Sequence, residues 1–267
     1  MLDLSPGITM YILTIVFLLG AVFASFLTCM GWRIVKGESV LEGRSHCDSC
    51  GHPLGWRDLI PIFSYFARRG RCAYCGQPIS IFSTVGEILL AVVFVLTTIR
   101  YDVSWELVLM LFFVCILYFV SVTDIYDQII PNGAINTALV VRVIWHGVFE
   151  LFVSDSPDLM VTVGFLIDGL AVSLPLFFLV LLMEKLWKKE AMGGGDIKLL
   201  FIVGLYLGWE KTLLTLLFAC IVGIIGGTIQ LRRQEGGYFA FGPYIAIAAV
   251  LSLLIGDGLI GWYLSLF

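Results

Sequence analysis

Long apolar stretches separated by short polar breaks make up most of this chain. They fall near residues 8–32, 81–99, 104–123, 133–153, 159–187, 197–210, 212–231 and 239–265. A helix needs roughly 20 mostly apolar residues to cross a bilayer, and only the sixth stretch is clearly short. The pattern predicts an all-α polytopic membrane protein with about eight transmembrane helices. One polar region, residues 33–80, is large enough to form a small domain between helices 1 and 2. The expected organisation is helix 1 over 1–32, a soluble domain over 33–80 and a membrane core over 81–267.

Composition agrees with the pattern, since 60% of the residues are hydrophobic and 13% charged, with a mean hydropathy of +0.99. An ordinary globular domain carries about twice that charge. Met1 to Thr9 contains Asp3 and no Lys or Arg, so the first span lacks the basic flank of a cleaved signal and is expected to be retained.

Lysine and arginine set the expected orientation, because they collect in cytoplasmic loops. With the N-terminus outside, the inner loops hold 13 of the 16 basic residues: Arg33, Lys36, Arg44, Arg57, Arg68, Arg69, Arg71, Lys185, Lys188, Lys189, Lys198, Arg232 and Arg233. Arg100 and Lys211 fall outside and Arg142 lies in a span. Residues 33–80 are then cytoplasmic.

A segment of that size rarely buries enough core to fold unaided. Its cysteines supply a staple. Cys47-Asp48-Ser49-Cys50-Gly51 and Cys72-Ala73-Tyr74-Cys75-Gly76 are two CxxCG knuckles with 21 residues between Cys50 and Cys72, a spacing that suits a four-thiolate zinc site. Disulfides are the competing reading, and a cytoplasmic location opposes them. His46 and His52 flank the first knuckle, but four cysteines already complete a tetrahedron. Cys29, Cys115 and Cys220 lie in apolar spans and read as buried packing residues.

The remaining chemistry belongs to carboxylates. The chain has no nucleotide loop, GxSxG elbow or HExxH pair, and His46, His52 and His146 are too scattered for a histidine metal site. Asp124 and Asp196 stand 72 residues apart, each at the edge of an apolar span, where a carboxylate is costly and points to function. Asp124 is followed by Pro131 in Val122-Thr123-Asp124-Ile125-Tyr126-Asp127-Gln128-Ile129-Ile130-Pro131. Asp196 follows Gly193-Gly194-Gly195, which strips side chains from its approach, and precedes Lys198. The plainer alternatives are a helix cap for Asp196 and an interfacial turn for Asp124. Asp127 reads as a solvated loop residue, and Asp168, deeper in its span, as a helix–helix hydrogen-bonding group with Arg142 as a candidate partner. Gly223, Gly226 and Gly227 read as close helix packing.

These motifs carry a resemblance. Asp124-x6-Pro131 with Gly193-Gly194-Gly195-Asp196-Ile197-Lys198 resembles the type 4 prepilin leader peptidases, the GxGD class of intramembrane aspartic proteases, over nearly the whole chain. Gly37-Glu38-Ser39, Ser45-His46-Cys47, Leu59-Ile60-Pro61-Ile62-Phe63-Ser64-Tyr65 and Gly70-Arg71-Cys72 resemble the N-terminal domain of the bifunctional bacterial members. Glu87 and Phe241-Gly242-Pro243-Tyr244 also match, while Gly43 stands in a region where that family commonly has a proline.

The resemblance implies catalytic Asp124 and Asp196, substrate-approach or supporting roles for Gly193, Gly194, Gly195, Lys198, Pro131 and Glu87, and structural zinc on Cys47, Cys50, Cys72 and Cys75. It implies cleavage of a short basic leader from type 4 prepilins or pseudopilins at the cytoplasmic face of a bacterial inner membrane, between a glycine and usually a phenylalanine. N-methylation of the new terminus by S-adenosylmethionine would follow, with the 33–80 domain as the methyltransferase part. The partners are then prepilins and membrane lipid, with no nucleic acid. Two carboxylates at close range share one proton. The dipole of the helix that Asp196 begins favours its anion, so helix ends alone make Asp196 the initial base. A proton-coupled transporter using Asp124, Asp168 and Asp196, or a membrane scaffold with a zinc module, are the rival classes.

Overall fold

The computed structural model describes residues 5–40, 43–152, 159–188, 192–231 and 240–266. Lys189, Arg232 and Arg233 of the charge pattern, with Asp3, lie outside the described residues. Among these, α1 covers Pro6–Val35, α2 Phe63–Ala67, α3 Ile81–Tyr101, α4 Trp105–Asp127, α5 Asn132–Phe152, α6 Leu159–Trp187, α7 Gly194–Leu207, α8 Trp209–Leu231 and α9 Gly242–Leu264. Helices of 14 residues or more thus coincide with all eight predicted stretches. Six of them, α1, α3, α4, α6, α8 and α9, are long and apolar enough to cross a membrane. α7 has 14 residues, about 21 Å at 1.5 Å per residue, short of the roughly 30 Å hydrocarbon layer. α5 has the length, but its sequence carries Arg142, His146 and Glu150.

Contacts divide the chain into two units, Met1–Val122 and Thr123–Phe267. In the first, α1 packs along α3. Small residues allow the approach: a Cβ on Gly20 would stand 2.7 Å from the Ala91 Cα, and Gly20, Ala21, Ala24, Thr28 and Gly31 are buried on one side of α1. Thr28 also shares a 2.7 Å hydrogen bond with the Tyr118 hydroxyl of α4, and Gly86 leaves room for the same tyrosine. Ser80 caps α3, accepting the Phe82 amide, as a short hydroxyl does best at this position.

In the second unit α7 is the central element, touching α5, α6, α8 and α9. Leu199, Leu200 and every residue from Ile202 to Leu207 are buried. A helix apolar all round finds partners on every side rather than one. The tightest crossing is with α6, where a Cβ on Gly204 would lie 2.7 Å from the Gly169 Cα. Gly226 makes room for the Tyr244 ring, as the packing reading of that glycine run expected. Cys220 departs from expectation: it is exposed on α8 rather than buried. Hydropathy alone cannot separate a lipid-facing position from a core one, since both are apolar.

Candidate functional site

Asp124 lies in the last turn of α4 and Asp196 in the first turn of α7. The two residues are 5% and 9% exposed, although both stand at helix ends, and their carboxylates lie within electrostatic reach of each other. The fold therefore brings together the two residues that the sequence singled out. Asp127, one turn on, is exposed as expected, but as the last residue of α4 rather than in a loop.

The surrounding motif residues divide their tasks. A Cβ on Gly193 would stand 3.2 Å from the Asp196 Oδ2, one on Gly195 would meet Ile130 at 3.0 Å, and one on Gly194 would meet nothing within 4 Å. Gly193 thus keeps space beside the carboxylate, Gly195 lets α7 pack on the segment before Pro131, and Gly194 is open. Pro131 precedes α5, its carbonyl accepting the Ala134 amide at 3.0 Å. Lys198 donates to the Asn132 Oδ1 at 2.9 Å, tying the Asp196 helix to the residue after Pro131.

One partner of the site was noted in the sequence without its role. The Gly242 amide, at the start of α9, donates to the Asp124 Oδ2 at 2.9 Å. A Cβ there would stand 2.8 Å from that oxygen. The sequence signal is Gly242-Pro243 opening an apolar helix, where Pro is favoured in the first turn; nothing local ties it to Asp124.

Asp168 sits at the other end of α7. Its Oδ2 is 4.0 Å from where a Gly208 Cβ would be, twelve residues beyond Asp196, or about 18 Å along the helix. Arg142 donates from Nε to the Leu205 carbonyl at 2.8 Å and stacks near the Phe165 and Tyr206 rings. Its guanidinium thus satisfies a carbonyl of the last turn of α7, which has no helical partner of its own.

The cysteine domain forms a second constellation. The Sγ atoms of Cys47, Cys50, Cys72 and Cys75 all lie within 4.8 Å of one another, with Cys47 and Cys75 at 3.9 Å. Four ligands at about 2.3 Å from a tetrahedral zinc stand about 3.8 Å apart, so the set fits. The knuckles repeat each other at an offset of 25 residues. Cys47 donates to the His52 carbonyl and Gly51 to the Cys47 carbonyl; Cys72 donates to Gln77 and Gly76 to Cys72 in the same way. Gly51 and Gly76 have φ of +68° and +71°, the left-handed region that glycine enters without strain. His52 stacks on Tyr74 with ring centroids 3.7 Å apart and has no place among the four ligands. Backbone amides of Cys75 and Tyr74 bring the Cys72 thiol down to about 7. The Gln77 amide favours the Cys75 thiolate, but burial and the neighbouring thiols prevail and push it up to about 11. The neighbouring thiols thus favour the Cys72 thiolate at the expense of Cys75, and a divalent cation would let all four ionise together.

Asp58 steadies this domain. Its Oδ2 accepts the Gly55 amide at 3.0 Å and the Tyr74 hydroxyl at 3.0 Å, and Arg68 pairs with its other oxygen. Glu87, 6% exposed, accepts the Ile62 amide at 2.7 Å, so it ties α3 to the segment that follows the first knuckle.

Residues 18–101 match the bacterial peptidase A24 N-terminal domain, and residues 111–228 the type IV leader peptidase family. A Bacillus subtilis (strain 168) prepilin leader peptidase/N-methyltransferase is 30% identical, over 95% of this chain and 98% of its own. The chain belongs to the type IV leader peptidase family. Further members similar to it are prepilin leader peptidase/N-methyltransferases of Aeromonas hydrophila, 28% identical over 100% and 99% of the two chains, and of Pseudomonas putida, 31% identical over 92% of each. No solved structure matches it significantly. The match to the leader peptidase family ends at residue 228, before Gly242, so the Asp124 partner lies beyond the matched region.

Proposed function

We propose that this family member cleaves the leader of type 4 prepilins or pseudopilins with Asp124 and Asp196 as the paired carboxylates, and N-methylates the new terminus with S-adenosylmethionine as methyl-donor substrate. The observation that carries the peptidase reading is the burial of two carboxylates within electrostatic reach, at helix ends, beside a glycine-lined opening. The relatives' names supply the methyl transfer. The excess of basic residues in alternate loops supports a cytoplasmic site with the N-terminus outside, in a bacterial inner membrane. Cys47, Cys50, Cys72 and Cys75 would hold zinc, whose contribution is to close the 33–80 domain.

The division of labour follows from magnitudes. A helix end near a carboxylate is worth about 0.3–1 kcal/mol, whereas a hydrogen bond to a charged group contributes about 1.5–3 kcal/mol. Asp124 has the direct bond, from Gly242. Asp124 is therefore the base and Asp196 carries the shared proton, the reverse of what the ends of α4 and α7 suggest. Asp124 takes a proton from water as the water oxygen attacks the scissile carbonyl carbon, and Asp196 gives its proton to the carbonyl oxygen. The tetrahedral intermediate then expels the amine, which takes the proton held by Asp124, while a hydroxyl proton returns to Asp196. Gly193 and Gly194 leave the substrate backbone room to reach this pair.

Purified protein and a prepilin test the assignment. Asp124→Asn and Asp196→Asn should each abolish leader cleavage while remaining folded, and Asp168→Asn should keep most of it. Asp196→Asn should still transfer labelled methyl to a pre-cleaved pilin peptide. Robust cleavage by either of the first two variants overturns the assignment.

A further inference from the structure

Ile62 has φ 65° and ψ −56°, and the Phe63 amide donates to the Pro61 carbonyl at 2.6 Å. That is a tight three-residue turn of the strained hand, centred on a β-branched residue that rarely enters positive φ. Such a turn persists only where its surroundings over-determine it. Here the Ile62 amide is fixed to the Glu87 carboxylate of α3, which the Ser25 and Ser83 side chains also engage.

This anchoring sets a depth. α3 has 21 residues, about 31 Å of helix, and the hydrocarbon layer is about 30 Å thick. α3 has no length to spare, and Glu87 is six residues past its first, about 9 Å along it. The turn bound to Glu87 is therefore held close to the membrane end of α3, below the level of its first residue, and cannot stand out in the cytoplasm. Around it Trp56, Phe63 and Phe66 are 71%, 66% and 63% exposed, a concentration of apolar surface of the kind that marks a contact with membrane or partner. Arg57 and Arg69 are exposed beside them, the Arg57 guanidinium 5.0 Å from the Trp56 ring centroid.

We propose that the Pro61–Phe63 turn, pinned by Glu87, seats Trp56, Phe63 and Phe66 in the headgroup layer of the membrane, with Arg57 and Arg69 on anionic lipid phosphates. Aromatic rings favour that layer because one edge is apolar and the other wet, and arginine draws anionic headgroups. A basic leader peptide would be repelled by the same guanidiniums, which favours lipid over substrate as the occupant. The seat holds the soluble domain at the membrane plane.

Photo-crosslinking in nanodiscs tests this with the full chain. Benzoylphenylalanine replaces Phe63 or Phe66 in turn, with Trp56 as a third position outside the strained turn should either variant lose its zinc. In phosphatidylglycerol-containing discs the adducts should be mainly lipid. Their yield should fall at least threefold in phosphatidylcholine discs, and again in an Arg57→Gln/Arg69→Gln background. Adducts mainly to residues 123–267 or to added prepilin overturn the proposal, as does a lipid yield indifferent to headgroup charge.

Discussion

The Gly242 amide and the Asp124 carboxylate are 118 residues apart in sequence and 2.9 Å apart in space. The contact depends on glycine twice over: the amide donates, and the missing side chain leaves the space that the carboxylate occupies. Asp124 thereby gains at the start of α9 what its own helix end denies it, an amide donor that stabilises its anion.

Gly242→Ala should therefore slow cleavage without unfolding the protein. A methyl group 2.8 Å from the Asp124 Oδ2 must displace the carboxylate and lengthen its hydrogen bond. Loss of a charge-assisted bond of about 1.5–3 kcal/mol corresponds to a roughly 10- to 100-fold fall in kcat, with little change in KM. Steady-state kinetics on a prepilin substrate give the answer, and a folded Gly242→Ala enzyme with normal kcat would show the contact to be dispensable.

Metal analysis should find about one zinc per chain, because four thiolates close one tetrahedral site. Cys72→Ser, or a strong chelator, should lower the zinc content and speed proteolysis within residues 43–80. Occupancy should fall on acidification, since protons compete with metal for thiolates; the Cys72 thiol, at about 7, resists that competition better than an ordinary cysteine. Full zinc content in a variant lacking both Cys72 and Cys75 would contradict the four-cysteine site.

Asp58 gives the cysteine domain an acid limit. Burial opposes its ionisation, but the Gly55 amide, the Tyr74 hydroxyl and Arg68 outweigh it and hold the carboxyl below its usual 3.8. A carboxylate lowered by folding adds stability above its unfolded value, and loses it as pH falls through the folded one. The contribution is thus intact at neutral pH and disappears below about pH 4. Asp58→Ala should cost about 1–3 kcal/mol at neutral pH, read as faster amide exchange at Gly55 and around Tyr74. Exchange there that matches the wild type would show the network to be idle.

Much of this protein was determined by the sequence alone, because the determining features are local. Apolar stretches of membrane-spanning length mark helices whatever surrounds them, and they located eight of the nine described here. The two CxxCG knuckles carry their own turn, with Gly51 and Gly76 supplying the left-handed residue, so their metal chemistry is legible from spacing. Asp124 and Asp196 stood out because carboxylates at the edges of apolar spans are costly.

The tertiary structure decided what depends on pairs distant in the chain. Hydropathy marks α7 as apolar but not as the helix enclosed by four others, and it treats exposed Cys220 like a core residue, because hydrocarbon and protein interior select the same side chains. Glu87 binds an amide 25 residues before it, and Asp124 one 118 residues after it. Neither contact leaves a periodic trace, since a single hydrogen bond between separate elements needs only one residue on each side. The proton assignment proposed for the carboxylates rests on such a contact: the ends of α4 and α7 are written in the sequence, whereas the arrival of α9 at Asp124 exists only in the folded chain.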